Sequence, residues 1–163
     1  MGQITLNQLL VHLLIWSLVG IVVFNLYIVV VFRTGIVYTS REQDGTLKQR
    51  LPLSGVLSSL SILVGIIAVQ LASSFSLLSS LTVPVSFWVL LALNYALFLV
   101  LFLYDTLVID FFVIGRWRPA ILNLPDEMDA GSMAEHIRAS MVVAPLIGLV
   151  LSLVSTLVTR VWF

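Results

Sequence analysis

Residues 9 to 32 read LLVHLLIWSLVGIVVFNLYIVVVF, twenty-four consecutive positions with no Asp, Glu, Lys or Arg. About twenty apolar residues in a helix suffice to cross the roughly 30 Å hydrocarbon core of a bilayer. Inside hydrocarbon every backbone N–H and C=O must be bonded within the protein, which leaves only helices and closed barrels. Barrel strands alternate polar and apolar positions over about ten residues, and this run is nearly continuous. It predicts one membrane-spanning helix. The segment is too long for the core of a signal peptide and has no basic region before it, so it is expected to remain as a mature helix.

Three more apolar segments follow. With 60% hydrophobic and 10% charged residues and a mean hydropathy of +1.14, the chain lies outside the composition of soluble domains. The expected fold is an all-α integral membrane protein, with four transmembrane helices in a compact bundle that forms a single membrane domain over residues 1–163. The helices are expected at about 5–32, 52–71, 86–114 and 133–159, joined by polar loops at 33–51 and 115–131. Thr5 and Gln8 form a capping box ahead of the first helix, and Ser132 with Glu135 a second one ahead of the fourth. Asp44-Gly45 is a turn signal within the first loop. The stretch ASSFSLLSSLTVP, residues 72 to 84, carries no charge and enough serine to read as a turn. Pro145 cannot bond the Met141 carbonyl and is expected to bend the fourth helix.

Lys and Arg orient the bundle. None precedes the first helix, four lie in the first loop, none in the second, three in the third and one after the fourth helix. The positive-inside rule then places both long loops in the cytoplasm and both termini on the outer side. Trp16, Trp88 and Trp162 fall toward the outer interface and Trp117 toward the inner one. The expected location is a plasma or bacterial inner membrane, with the lipid bilayer as the first partner.

The segment LYDTLVIDFFVIGRWRP, residues 103 to 119, sets two carboxylates into the end of the third helix. An ionisable residue within a membrane helix is a functional hypothesis by default, because an unpaired charge at depth costs several kcal/mol. At 100° per residue an eleven-residue spacing returns to nearly the same face, so Asn94, Asp105 and Arg116 share a stripe while Asp110 lies off it. Neither aspartate can pair with Arg116 unless the helix unwinds, since intrahelical ion pairs need separations of three or four. Arg33, which closes the first helix at the same level, is the expected ion-pair partner, with Asn25 as a hydrogen-bonding neighbour. The bland reading is a polar contact that fastens helices. The functional one is a proton or cation pathway using Asp105, Asn94 and Asp110.

Small residues mark helix faces that allow close approach. The fourth helix carries Ser140, Ala144, Gly148, Ser152 and Thr156 at unbroken four-residue spacing. The second offers Gly55 with Ser59, Ser61 with Gly65 and Ala68 with Ala72. The first and third helices are bulkier and are expected to pack against these small faces, with a seam between chains as the alternative.

Reactive chemistry is sparse. The chain has no cysteine, which removes disulfides, thiolate nucleophiles and thiolate metal sites together. Its zero formal charge gives no field for nucleic acid. His12 and His136 fall at opposite ends of the bundle, so they cannot share a metal ion. His12 alone is a candidate haem or pigment ligand, though a hydrogen-bonded helix histidine accounts for it more simply. Asp126, Glu127, Asp129, Glu135 and His136 form an acidic cluster without calcium-loop or zinc spacing, and a solvated turn explains it. No phosphate-binding, nucleotide-binding or nucleophile-elbow motif occurs, so an enzyme is the least favoured class. No cofactor is specified. Three functions are therefore expected in descending order: a non-catalytic accessory or assembly subunit that packs with other membrane chains or with itself; a small homo-oligomeric proton or cation transporter using Asp105; and a pigment- or haem-binding bundle using His12.

Overall fold

The structure is a computed structural model and describes residues 4–34, 53–81, 84–122 and 130–162, apart from some side chains near helix ends. Four α-helices make up nearly all of it: α1 (Leu6–Thr34), α2 (Leu53–Ser80), α3 (Phe87–Tyr104) and α4 (Ala130–Trp162). A π-helix (Asp105–Trp117) continues α3, and a 3-10 turn (Ala120–Leu122) follows it. The chain is thus all-helical, with four helices long and apolar enough to cross a membrane. The Asp44-Gly45 turn and the acidic residues Asp126, Glu127 and Asp129 lie outside the described residues, as do the side chains of Gly55, Ser59, Glu135 and His136.

Local chemistry explains where α1 and α3 start. The Thr5 amide donates to Gln8 Oε1 at 3.0 Å and the Gln8 amide to Thr5 Oγ1 at 3.3 Å, a reciprocal cap at the head of α1. Ser86 caps α3 by accepting from the Val89 amide at 3.3 Å. Ser132, in contrast, already lies inside α4, which begins at Ala130.

Residues 72–80, read from sequence as a turn, are the last two turns of α2. Serine satisfies itself there against the helix. Ser79 donates to the Phe75 and Ser76 carbonyls and Ser80 to that of Leu77, bonds that absorb hydroxyl groups without breaking the backbone ladder. Pro145 sits within α4, and the helix runs on past it.

The four helices alternate in direction. At one end, Leu77, Val85 and Leu90 form an apolar cluster with Ile4 and Leu9 packed against it, so the start of α1, the end of α2 and the start of α3 lie together. Arg160, near the end of α4, donates to the Val85 carbonyl at the same place. At the opposite end, Phe32 of α1 packs with Ile109, Ile114 and Leu122. α3 touches all three other helices, and α4 backs α2, α3 and the π-helix. α1 and α4 stand apart, on either side of the α2–α3 pair, so only α2 and α3 receive the faces of both.

The radial distribution of polarity is inverted relative to a soluble bundle. Gln70, Asn94, Ser152, Ser155, Thr156 and Thr159 are all at most 2% exposed. Meanwhile Leu6, Leu10, Leu14, Leu18, Val22, Leu26 and Val30 form an unbroken exposed ridge along α1. A soluble fold would bury such a ridge, because each apolar side chain withheld from water contributes about 1.5–3 kcal/mol.

Candidate functional site

Two polar constellations lie in the bundle, one toward each end. The first is centred on Gln70 of α2. Its Nε2 donates to the Asn94 backbone carbonyl and to Ser152 Oγ, both at 2.9 Å, and its Oε1 accepts from Ser155 Oγ at 2.8 Å. Asn94 of α3 completes the set: its Nδ2 donates to Thr156 Oγ1 at 3.1 Å and its Oδ1 accepts from Ser74 Oγ at 3.1 Å. Thr156 and Thr159 then return their own protons to the Ser152 and Ser155 carbonyls. Two carboxamides therefore tie α2, α3 and α4 together, and five hydroxyls fill the gaps. At 1.5 Å per residue the cluster lies about 5–15 Å inside the Ser-rich end.

His12 extends this layer to α1, with its Nε2 3.1 Å from the Ser73 carbonyl and 3.0 Å from Ser73 Oγ. One ring nitrogen of His12, the candidate haem or pigment ligand, is therefore engaged with α2. Trp16 lies one turn along, its ring tilted against the histidine at 6.2 Å.

The second constellation is the π-helix. Its backbone bonds skip five residues instead of four, and side chains five apart come together in consequence. Arg116 places its guanidinium 4.7 Å from the centre of the Phe111 ring, and Phe112 and Trp117 lie 6.3 Å apart. Asp105 and Asp110 have the same separation in sequence. Asp110 is buried and Asp105 half-buried. The segment closes at Arg118, which adopts a left-handed conformation (φ 48°, ψ 57°) and donates its amide to the Val113 carbonyl. Pro119 follows and cannot continue the helix.

This geometry revises the expected stripe. Constant α-helical spacing put Asn94, Asp105 and Arg116 on one face and Asp110 off it. Beyond Tyr104 the wider turn changes that spacing: Asp110 is buried, Asp105 half-buried and Arg116 exposed. Asn94 is separated from Asp105 by eleven residues, about 16 Å along the axis, and is held within the Gln70 cluster. Asn25 bonds Tyr104, the residue before Asp105, in both directions: its Nδ2 donates to the hydroxyl at 2.7 Å and its Oδ1 accepts from it at 3.0 Å. Arg33 is exposed at the end of α1 and, among the described residues, makes no ion pair with Asp105.

The small-residue faces divide between inside and outside. Gly148 and Ser152 are buried against α3 and α2, and Ala144 is half-buried one turn before them. The hydroxyls of Ser61 and of Tyr27 on α1 share a hydrogen bond at 2.6 Å, in which either can donate. At Gly65 an added Cβ would meet nothing within 4 Å. From residue 65 to 80 the exposed positions of α2 are Ala68, Ala72, Ser76, Ser79 and Ser80, so its most exposed positions there all carry small side chains. Sequence spacing marked Ala68 and Ala72 but could not show which way they face. Among the described residues, no group of three or more His, Asp or Glu side chains is arranged to hold a metal ion.

Comparison with protein-family models, with curated proteins and with solved structures yields no match.

Proposed function

We propose that this is a multi-pass membrane protein that serves as a non-catalytic accessory or assembly subunit, docking through α2 onto another membrane chain or a second copy of itself. The observation that carries this reading is the outer face of α2. Ala68, Ala72, Ser76 and Ser80 are exposed at unbroken four-residue spacing, whereas α1 turns leucine and valine outward at the same intervals. In lipid, helices associate by close packing rather than by hydrophobic exclusion, and small side chains permit the closest approach. The polar core supports the same view: its carboxamides are bonded within the chain, so it acts as a fastener that keeps α2 rigid.

Insertion is supported by the apolar exterior and by the positions of the tryptophans. Trp88 and Trp162 are exposed at the Ser-rich end and Trp117 at the other, as expected of interfacial anchors. The arginine-bearing loops would face the cytoplasm and both termini the outer side.

The test is to purify the chain in mild detergent and compare it with Ala72→Leu and Ser76→Leu variants on native gels. Both positions are exposed, so the fold should survive while the larger assembly dissociates. Recovery of the parent as a lone monomer, or assemblies indifferent to both leucines, would refute the proposal.

A second reading has one observation in its favour, the presence of two carboxylates in the π-helix, Asp105 half-buried and Asp110 buried. Carboxylates withdrawn from water in a membrane helix suit a bound proton or a cation. Proton or cation flux in proteoliposomes that disappears in Asp105→Asn, with the assembly intact, would select this reading over the first.

A further inference from the structure

Arg160 is the exception to the placement of charge in this chain. All eight acidic residues fall at 42–44, 105–110 and 126–135, and the other seven basic ones at 33–50, 116–118 and 138. Those positions lie in or between the helix ends remote from Arg160, which closes α4 beside the start of α3. Its end of the bundle therefore carries a cation and no carboxylate side chain.

Among the described residues, the chain meets little of what a guanidinium needs. Nη2 donates to the Val85 carbonyl, a neutral acceptor, and Nε is buried with no hydrogen-bond partner. Arginine has five N–H donors and a permanent charge. Half-buried as it is, the group calls for an anion from outside the chain, because a charge withdrawn from water is costly unless paired.

The surroundings identify that anion. Trp162, two residues on, and Trp88 of α3 are exposed, as aromatic anchors at headgroup level are. Down α4 from Arg160, Leu157, Leu153, Val150 and Leu146 are exposed at alternating intervals of three and four residues, which places them on one face. The stripe extends about 21 Å along the helix, longer than the roughly 15 Å that one leaflet gives to the hydrocarbon core. A polar head above and an acyl chain below describe a phospholipid.

We infer that Arg160 binds the phosphate of one anionic phospholipid, whose acyl chain lies along Leu157, Leu153, Val150 and Leu146. Nη1, which has no partner among the described residues, donates to the phosphate oxygens in charge-assisted bonds. An anionic headgroup is favoured over a zwitterionic one, since no acidic side chain stands at this end to receive an ammonium. The site rests on membrane insertion and not on docking through α2.

The test titrates the delipidated full chain in detergent with phosphatidylglycerol and, separately, with phosphatidylethanolamine of the same acyl chains, and counts bound lipids by native mass spectrometry. The parent should hold one phosphatidylglycerol several-fold more tightly than phosphatidylethanolamine, and excess inorganic phosphate should not displace it. Arg160→Gln should erase the preference, whereas loss of an arginine that only clamps α3 would weaken both lipids alike. Arg160→Lys keeps the charge without the planar fork and should lower the preference several-fold, which serves if Arg160→Gln does not fold. Equal retention of the two lipids by the parent, displacement by phosphate, or a preference that either folded variant keeps in full would overturn the site. So would a preference that appears only when an alanine tail added after Phe163 moves the terminal carboxylate away from Arg160. Retention of neither lipid would overturn insertion along with the site, while the α2 variants test docking separately.

Discussion

Phe98 of α3 lies against the bare Cα of Gly148 on α4, so closely that an added Cβ would stand 2.1 Å from both Cδ1 and Cε1 of the ring. The contact fixes the separation of the two helices that make up much of the bundle's interior. Gly148→Ala should therefore destabilise the protein by about 1–3 kcal/mol through overpacking. Gly65→Ala, in open space, should be neutral or gain up to about 1 kcal/mol from helix propensity. Unfolding titrations in mixed detergent measure both. Equal effects at the two glycines would contradict the packing described.

Gln70 is 0% exposed and bonds α3 and α4 at once. Replacing it with leucine strands the Ser155 hydroxyl, the Ser152 hydroxyl and the Asn94 carbonyl, so a loss of about 1–3 kcal/mol is expected. Ser17 provides the contrast, since its hydroxyl is buried without a hydrogen-bond partner among the described residues. Ser17→Ala should be neutral or stabilising in the same assay, because it removes a polar group that gains nothing from burial.

Arg160 joins the last turn of α4 to the carbonyl of Val85, immediately before the α3 cap. A cation at a helix C-terminus also favours the helix dipole. Arg160→Met should loosen the start of α3, seen as faster hydrogen exchange at the amides of Val89 and Leu90. Exchange rates unchanged from the parent would mean that the clamp contributes nothing.

Orientation can be read by single-cysteine labelling of intact cells. An impermeant thiol reagent should modify Ser80→Cys and Trp162→Cys from outside and leave Ile121→Cys untouched until the membrane is permeabilised. The reverse pattern would overturn the assignment from arginine and lysine, while leaving the helix packing intact.

Much of the fold was legible because its signals are local. The capping box at Thr5 and Gln8 needs only its own turn to form, and the apolar run after it needs only to be long. The Ser-rich stretch misled for the opposite reason. Serine favours turns when its neighbours leave it no better option, but in α2 the preceding carbonyls accept its hydroxyls, and Ser73 and Ser74 are buried against His12 and Asn94. The direction of each small-residue face was equally hidden, because a four-residue spacing specifies a stripe and not what lies against it.

Sequence alone determined that this chain is helical, that it has four apolar segments of spanning length and that its charges gather at their ends; these follow from composition and period, which each segment carries by itself. Only the tertiary structure decided that Gln70 and Asn94 share one core and that Gly148 receives Phe98. It also decided that the helix beyond Tyr104 widens into a π-helix that sets Arg116 over Phe111. Those outcomes depend on which surfaces of distant segments press together, and packing of that kind can shift a helical register that no local propensity prescribes.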